Sequence, residues 1–300
     1  MIATKNPDAI MAKLVAGEQL VPDEVATLSE STALVPLGAL ADERRRTMVG
    51  EEVTFVRVCH VPVDKARSGF TIPSEAGEVR LSGCLTTCDD AVDVVTRTAQ
   101  GSRGIPVTGF DVNDLVALCG EDTRVFEELL KRLSGAGLSR ISEASIDDMV
   151  DSTWLDRSAD VGVPVNRLTI NDPAISGEDV IGRISSWGNR ISVAAVSPLP
   201  QKRTGVVSTG YENVRRVAMA RLLVKNVRCI QVDWNLYGQK MAQVALIFGA
   251  NDVDGVSPEN SLEHGKRRTA LATITQNIHA ASFTPVERNG RFERGCREKQ

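Results

Sequence analysis

Short apolar runs alternate with stretches of helical period along most of this chain. Val53–Val58, Glu78–Leu81, Ile105–Thr108, Leu138–Ile141, Val165–Ile170, Ile191–Val196, Val227–Val232 and Leu246–Phe248 read as strands. Between them Asp89–Thr98, Val112–Leu118, Arg124–Leu133, Ile146–Asp160, Glu178–Ser186, Tyr211–Val224 and Gln239–Val244 read as helices. Strand–helix alternation repeated this often argues for a parallel sheet. Eight such units suggest a (β/α)₈ barrel, with a doubly wound sheet as the alternative. Ahead of the first strand, residues 1–50 read as an N-terminal helical segment. One helix start there is Val21-Pro22-Asp23-Glu24, with proline near the first turn and acids after it. The barrel is expected over residues 51–288, with a closing helix in 258–282. Residues 289–300, charged and ending Arg-Glu-Lys-Gln, are expected to form a flexible tail.

Composition narrows the function classes. An apolar share of 42% over 300 residues supports a sizeable core, and a net charge of −4 makes no electrostatic case for nucleic acid. No apolar run approaches a membrane span, and the polar start Met1–Asp8 is not a secretory signal, so a cytoplasmic protein is expected. The six cysteines are an even number, but a cytosolic chain of this size needs no disulfides, and they read as free thiols.

One stretch is more specific. Gln243–Val256 runs through Phe248 and Gly249 into the polar cluster Asn251-Asp252-Val253-Asp254-Gly255. With the Arg- and Ala-rich Asn213–Leu223 and the run Val227–Trp234 upstream, Gly210–Val256 resembles the C-terminal part of a known family. That family is the radical S-adenosylmethionine (SAM) enzymes of the futalosine route to menaquinone and of deazaflavin assembly. Gly17-Glu18-Gln19-Leu20, Ala41-Asp42-Glu43-Arg44 and Pro285-Val286-Glu287-Arg288 resemble further family runs. The resemblance implies a radical-SAM-like TIM barrel, which favours the barrel over the doubly wound sheet.

The chemistry of that family needs three thiolates, spaced Cys-x-x-x-Cys-x-x-Cys, on the loop after the first strand. They hold a [4Fe–4S] cluster with one iron open to SAM. Here Cys59 and His60 are followed by Val61–Gly77, which contains no cysteine. In the family this interval holds the cluster loop and a whole helix, so the loss reads as a deletion. Cys84-Leu85-Thr86-Thr87-Cys88 has the first spacing, but the third position falls on Ala91 and the pair follows the second strand. Other family runs are eroded too, at Leu81-Ser82-Gly83, at Phe110-Asp111-Val112-Asn113 and at Ile170-Asn171-Asp172-Pro173-Ala174. Val256 stands where relatives carry a threonine. No [4Fe–4S] cluster or other cofactor is expected, and no metal site: no closely spaced ligand pair supports zinc.

In a barrel, side chains at the C-terminal strand ends converge on one mouth. The expected ligand-binding candidates there are His60, Glu143, Asp172, Asp233, Trp234, Asn251, Asp252 and Asp254, with Asp111 and Asn171 beside them. Carboxylates so gathered suit ribose-like hydroxyls, a divalent metal or acid/base work, or they simply cap helices. The resulting expectation is a cluster-free barrel protein that binds a nucleoside-like molecule or partners an active radical SAM paralogue. The alternative is an enzyme doing metal-assisted or acid/base chemistry on a small molecule.

Overall fold

Every residue of Val165–Ile170 is buried, as a strand covered on both faces must be. It is one of eight parallel strands that close on themselves. They are β1 Glu52–Pro62, β2 Glu78–Ser82, β3 Val107–Asp111, β4 Leu138–Ser145, β5 Val165–Ile170, β6 Val193–Pro200, β7 Cys229–Asp233 and β8 Asp252–Val256. β8 pairs with β1, which pairs with β2, so the sheet is a closed barrel. This computed structural model describes residues 33–149, 151–172, 174–175, 177–187, 192–201, 209–259 and 271–295, with scattered positions between 9 and 28.

The helices follow from local signals. The helix Thr123–Ala136 starts where the Asp122 carboxylate accepts from the Arg124 and Val125 N–H groups, and ends at Gly137 in the left-handed region. Its buried residues, Phe126, Leu129, Leu130 and Leu133, form one stripe against the sheet. Thr87 caps Cys88–Gly101 and Thr209 caps Gly210–Leu223 in the same way. The helix Leu34–Val49, from the N-terminal segment, packs on Gly210–Leu223, and the ring of Phe248 fills the space over its Gly38. The expected helical reading of most of residues 1–32 lies outside the described residues.

Three expectations are corrected. Leu246–Phe248 is not a strand: it ends the helical segment Trp234–Ile247, which is kinked at Gly238 (φ 77°), and the eighth strand is Asp252–Val256. A buried helix and a buried strand present the same short apolar run, so periodicity does not separate them over three residues. Second, a ninth strand, β9 Thr284–Glu287, lies parallel to the lower half of β1, while β2 pairs only with its upper half. Third, the tail does not leave the barrel at 289. Arg288 and Asn289 are buried, the Asn166 amide donates to Gly290 O at 2.9 Å, and Gly290 N donates to Gly77 O at 3.1 Å. The segment thus closes the barrel's N-terminal end; residues 296–300 lie outside the described residues. The shortened crossover from β1 to β2 holds only the six-residue helix Val63–Ser68, yet Val58–Pro62 and Glu78–Ser82 pair in full.

Candidate active-site mouth and the charged barrel interior

The inside of the barrel is built from arginines and carboxylates rather than the usual aliphatic layers. The lower layer centres on Asp252 of β8, which takes Arg288 Nε at 2.6 Å and Nη2 at 2.7 Å. The same carboxylate accepts from Thr54 Oγ1 at 2.5 Å and from Gln231 Nε2 at 2.7 Å. Above it, Arg80 of β2 grips Asp254 with two bonds of 2.8 Å and donates to Glu78 at 2.7 Å, which also accepts from Thr108 Oγ1 at 2.6 Å. Arg167 of β5 reaches Asp254 from the other side and bonds Glu143 of β4 at 2.6 Å. The two guanidiniums hold the buried Asp254 carboxyl well below the usual carboxylate range, against the cost of its burial.

On this floor stand the mouth residues. His60 ends β1, solvent-accessible but ringed by protein; that enclosure, then the Arg80 and Arg167 charges, push its pKa down to about 4, so it is neutral. Asp233, at the end of β7, caps the next helix through Leu236 N at 2.8 Å. Burial and the neighbouring Asp254 raise its pKa. Asp111 ends β3 and sits in register with Glu143. It accepts from Asn113 N at 2.8 Å and Ser145 N at 3.1 Å, yet burial pushes it up to about 7. Its neighbour Phe110 is held at φ 69°, a strained value for a buried aromatic residue, with its carbonyl tied to Ser142 Oγ at 2.8 Å. A cleft of ≈ 390 Å³ opens at the rim between His60, Pro62, Pro73, Asn235, Gly255 and Glu259.

The sequence candidates therefore divide. His60, Glu143 and Asp233 lie toward the mouth ends of β1, β4 and β7, with Asp254, the register partner of Asp233, already held by two arginines. Asp172 is exposed in a turn where it caps Ala174 N at 2.8 Å. Trp234 is 1% exposed and belongs to the hydrophobic core, not to a stacking platform. Asn251 and Asp252 are moved to the other end of the barrel, because their strand starts where the sequence reading had one ending. Asn251 Oδ1 accepts from Ile230 N at 2.9 Å and Arg221 Nη2 at 2.5 Å. The residues missed were the arginines Arg80, Arg167 and Arg288. Their signal was present: in Val79-Arg80-Leu81 and Asn166-Arg167-Leu168 a charge interrupts a strand buried on both faces, and such a charge needs an internal partner.

Comparison with known proteins accords with this geometry. The family described as the CofH/MqnC C-terminal region matches residues 190–299. Over a longer range the chain is 24% identical to the 5-amino-6-(D-ribitylamino)uracil–L-tyrosine 4-hydroxyphenyl transferase of Methanosphaerula palustris, covering 94% of each chain. It is 36% identical to the aminodeoxyfutalosine synthase of Streptomyces coelicolor over 99 residues, 31% of this chain and 25% of that one. The chain is similar to the futalosine- and deazaflavin-related radical SAM enzymes, with the family model matching over residues 190–299. Its fold matches the crystal structure of methylornithine synthase with a TM-score of 0.64 at 14% identity, over 92% of this chain and 97% of that one. The alignment with the M. palustris protein runs over 349 positions, more than the 300 residues here, so that relative carries segments this chain lacks.

Radical SAM relatives normally use a [4Fe–4S] cluster, and the described residues of this chain do not bring three thiols together to hold one. The β1–β2 connection carries no thiol. Of the described cysteines, Cys59 is half-buried at the top of β1, Cys84 and Cys88 follow β2, Cys119 is buried at the C-terminal end of the helix Val112–Leu118, and Cys229 begins β7 at the barrel's other end. Among the described residues no three Cys, His, Asp or Glu side chains are placed to hold a metal ion. None of the described helices is long and apolar enough to cross a membrane.

Proposed function

We propose that this chain has given up SAM radical chemistry and uses the barrel mouth to bind a small molecule with a polyhydroxyl chain on a heterocyclic base, a nucleoside-like ligand. One observation carries the reading: the 62–78 connection lacks the three thiolates while the mouth keeps accessible acceptors, His60, Glu143 and Asp233, on a rigid ion-paired floor. Carboxylates and a neutral imidazole suit ribose-like hydroxyls. A buried network of this size gains little stability over an apolar filling, so its retention argues for use. The M. palustris relative is named for a ribityl-bearing uracil, a ligand of the same class.

The test has two arms. Anaerobic reconstitution with iron and sulfide should leave no stoichiometric cluster; a brown protein with about four irons per chain would overturn the cluster-free reading. Calorimetry with adenosine and with 5-amino-6-(D-ribitylamino)uracil should give binding that Glu143→Gln weakens about tenfold, the worth of one charge-assisted hydrogen bond. No heat with either ligand would sink the binding reading and favour association with an active radical SAM paralogue.

A second reading, acid/base chemistry at the mouth, is favoured by Asp111. A carboxyl titrating near 7 beside Glu143 is matched to proton transfer at neutral pH.

A further inference from the structure

The N-terminal face of the barrel, opposite the mouth, carries a separate concavity of ≈ 390 Å³. Met48, Arg228, Asn251, Arg288, Phe292 and Arg294 line it, and among the described residues no carboxylate does. Arg288 is committed to Asp252, and Arg294 reaches Glu52 at 2.5 Å. Arg228 is exposed, and among the described residues its guanidinium bonds only a backbone carbonyl, Met48 O. Directly behind it lies Arg221, fully buried. Its guanidinium donates to Gly249 O at 2.7 Å, Arg228 O at 2.9 Å and Asn251 Oδ1 at 2.5 Å, and none of these is charged. Burial, with Arg45 and Arg44 close by, brings its pKa down to about 9.

A guanidinium buried among neutral acceptors is costly unless a counter-charge lies near. The positive field of Arg221 and Arg228 therefore opens into a cleft whose described lining carries no carboxylate, with Glu52 and Asp252 ion-paired to Arg294 and Arg288. In barrels this face ordinarily serves stability, and the fold does not require an arginine-lined cleft there. The cleft is larger than one tetrahedral anion, and Met48 and Phe292 give it an apolar wall.

We propose that this rear cleft binds a small phosphate ester, its phosphate held by Arg228 and Arg294 and its carbon skeleton laid against Met48 and Phe292. Arginine forks match phosphate oxygens two at a time, which favours phosphate over a lone carboxylate. The site does not depend on what the mouth binds.

The full chain should be titrated calorimetrically at low salt with ribose 5-phosphate and, separately, with inorganic phosphate. Ribose 5-phosphate should bind, more tightly than inorganic phosphate. Arg228→Gln should weaken it about tenfold or more, and Arg294→Gln should weaken it as well. Both side chains are exposed, so melting temperatures should stay within a degree or two of wild type, about the effect of a neutral surface change. Absence of ribose 5-phosphate binding, or binding that survives both substitutions together, would overturn the proposal. Equal affinity for the ester and inorganic phosphate would overturn the role given to the apolar wall.

Discussion

Arg80 and Asp254 face each other across the β1 strand that separates their own strands, joined by two hydrogen bonds of 2.8 Å, with both side chains almost completely buried. The pair ties β2 to β8 through the barrel interior and fixes the floor under His60. The short β1–β2 connection does not open the barrel partly because this internal tie, with the register of Val58–Pro62 on Glu78–Ser82, holds the seam.

Arg80→Met should therefore destabilise strongly, by about 3–5 kcal/mol, because it leaves the buried Glu78 without its ion partner and Asp254 with Arg167 alone. The double variant Arg80→Met/Glu78→Gln, which removes the stranded charge and leaves Asp254 on Arg167, should recover part of that loss. Urea unfolding of the wild type and the two variants checks this; a double variant as unstable as the single would show that packing, not the unpaired charge, sets the cost.

Asp252 belongs to the same interior, not to the mouth. Asp252→Ala leaves Arg288 buried without its partner and should cost about 3–5 kcal/mol in unfolding free energy. A melting temperature near wild type would refute the placement. Loss of ligand binding in this variant would then report unfolding rather than a lost contact.

Two mouth groups give opposite pH dependences. Asp111 titrates near 7 folded and about 3.9 unfolded. Between those values the folded protein keeps a proton that the unfolded chain has released, so stability falls as pH rises from about 4 to 7. Asp111→Asn should remove that slope. His60 titrates at about 4 folded against about 6.5 unfolded. Its contribution is present above 6.5 and is lost as pH falls toward 4, and His60→Gln should remove that loss. Urea midpoints across this range, for both variants and wild type, separate the two; a variant profile parallel to wild type contradicts the assignment.

Gly38→Ala would place a methyl 2.8 Å from the Phe248 ring. Overpacking of this kind costs about 1–3 kcal/mol. Phe248→Leu in the same chain should relieve it, and thermal melts of the single and double variants decide the matter.

Most of the barrel was legible in the pattern of the chain. The expected Val165–Ile170 coincides with β5, and six other strands lie within a few residues of the apolar runs that announced them. Three of the helices start at caps on Thr87, Asp122 and Thr209, a local signal the apolar period locates only to within a few residues. The missing thiolates after β1 are likewise a fact of sequence, since no folding can supply a ligand the connection does not contain.

Only the tertiary structure decided which polar residues share a space. Strand β8 begins five residues after Ile247, and that offset alone moves Asn251 and Asp252 from the mouth to the opposite end. Asp254 finds Arg80, 174 residues away, because barrel closure brings β2 and β8 to either side of β1. Sequence can announce that a charge on a buried strand needs a partner. Which partner it gets is set by strand register and closure, and those are fixed by pairings between residues far apart in the chain.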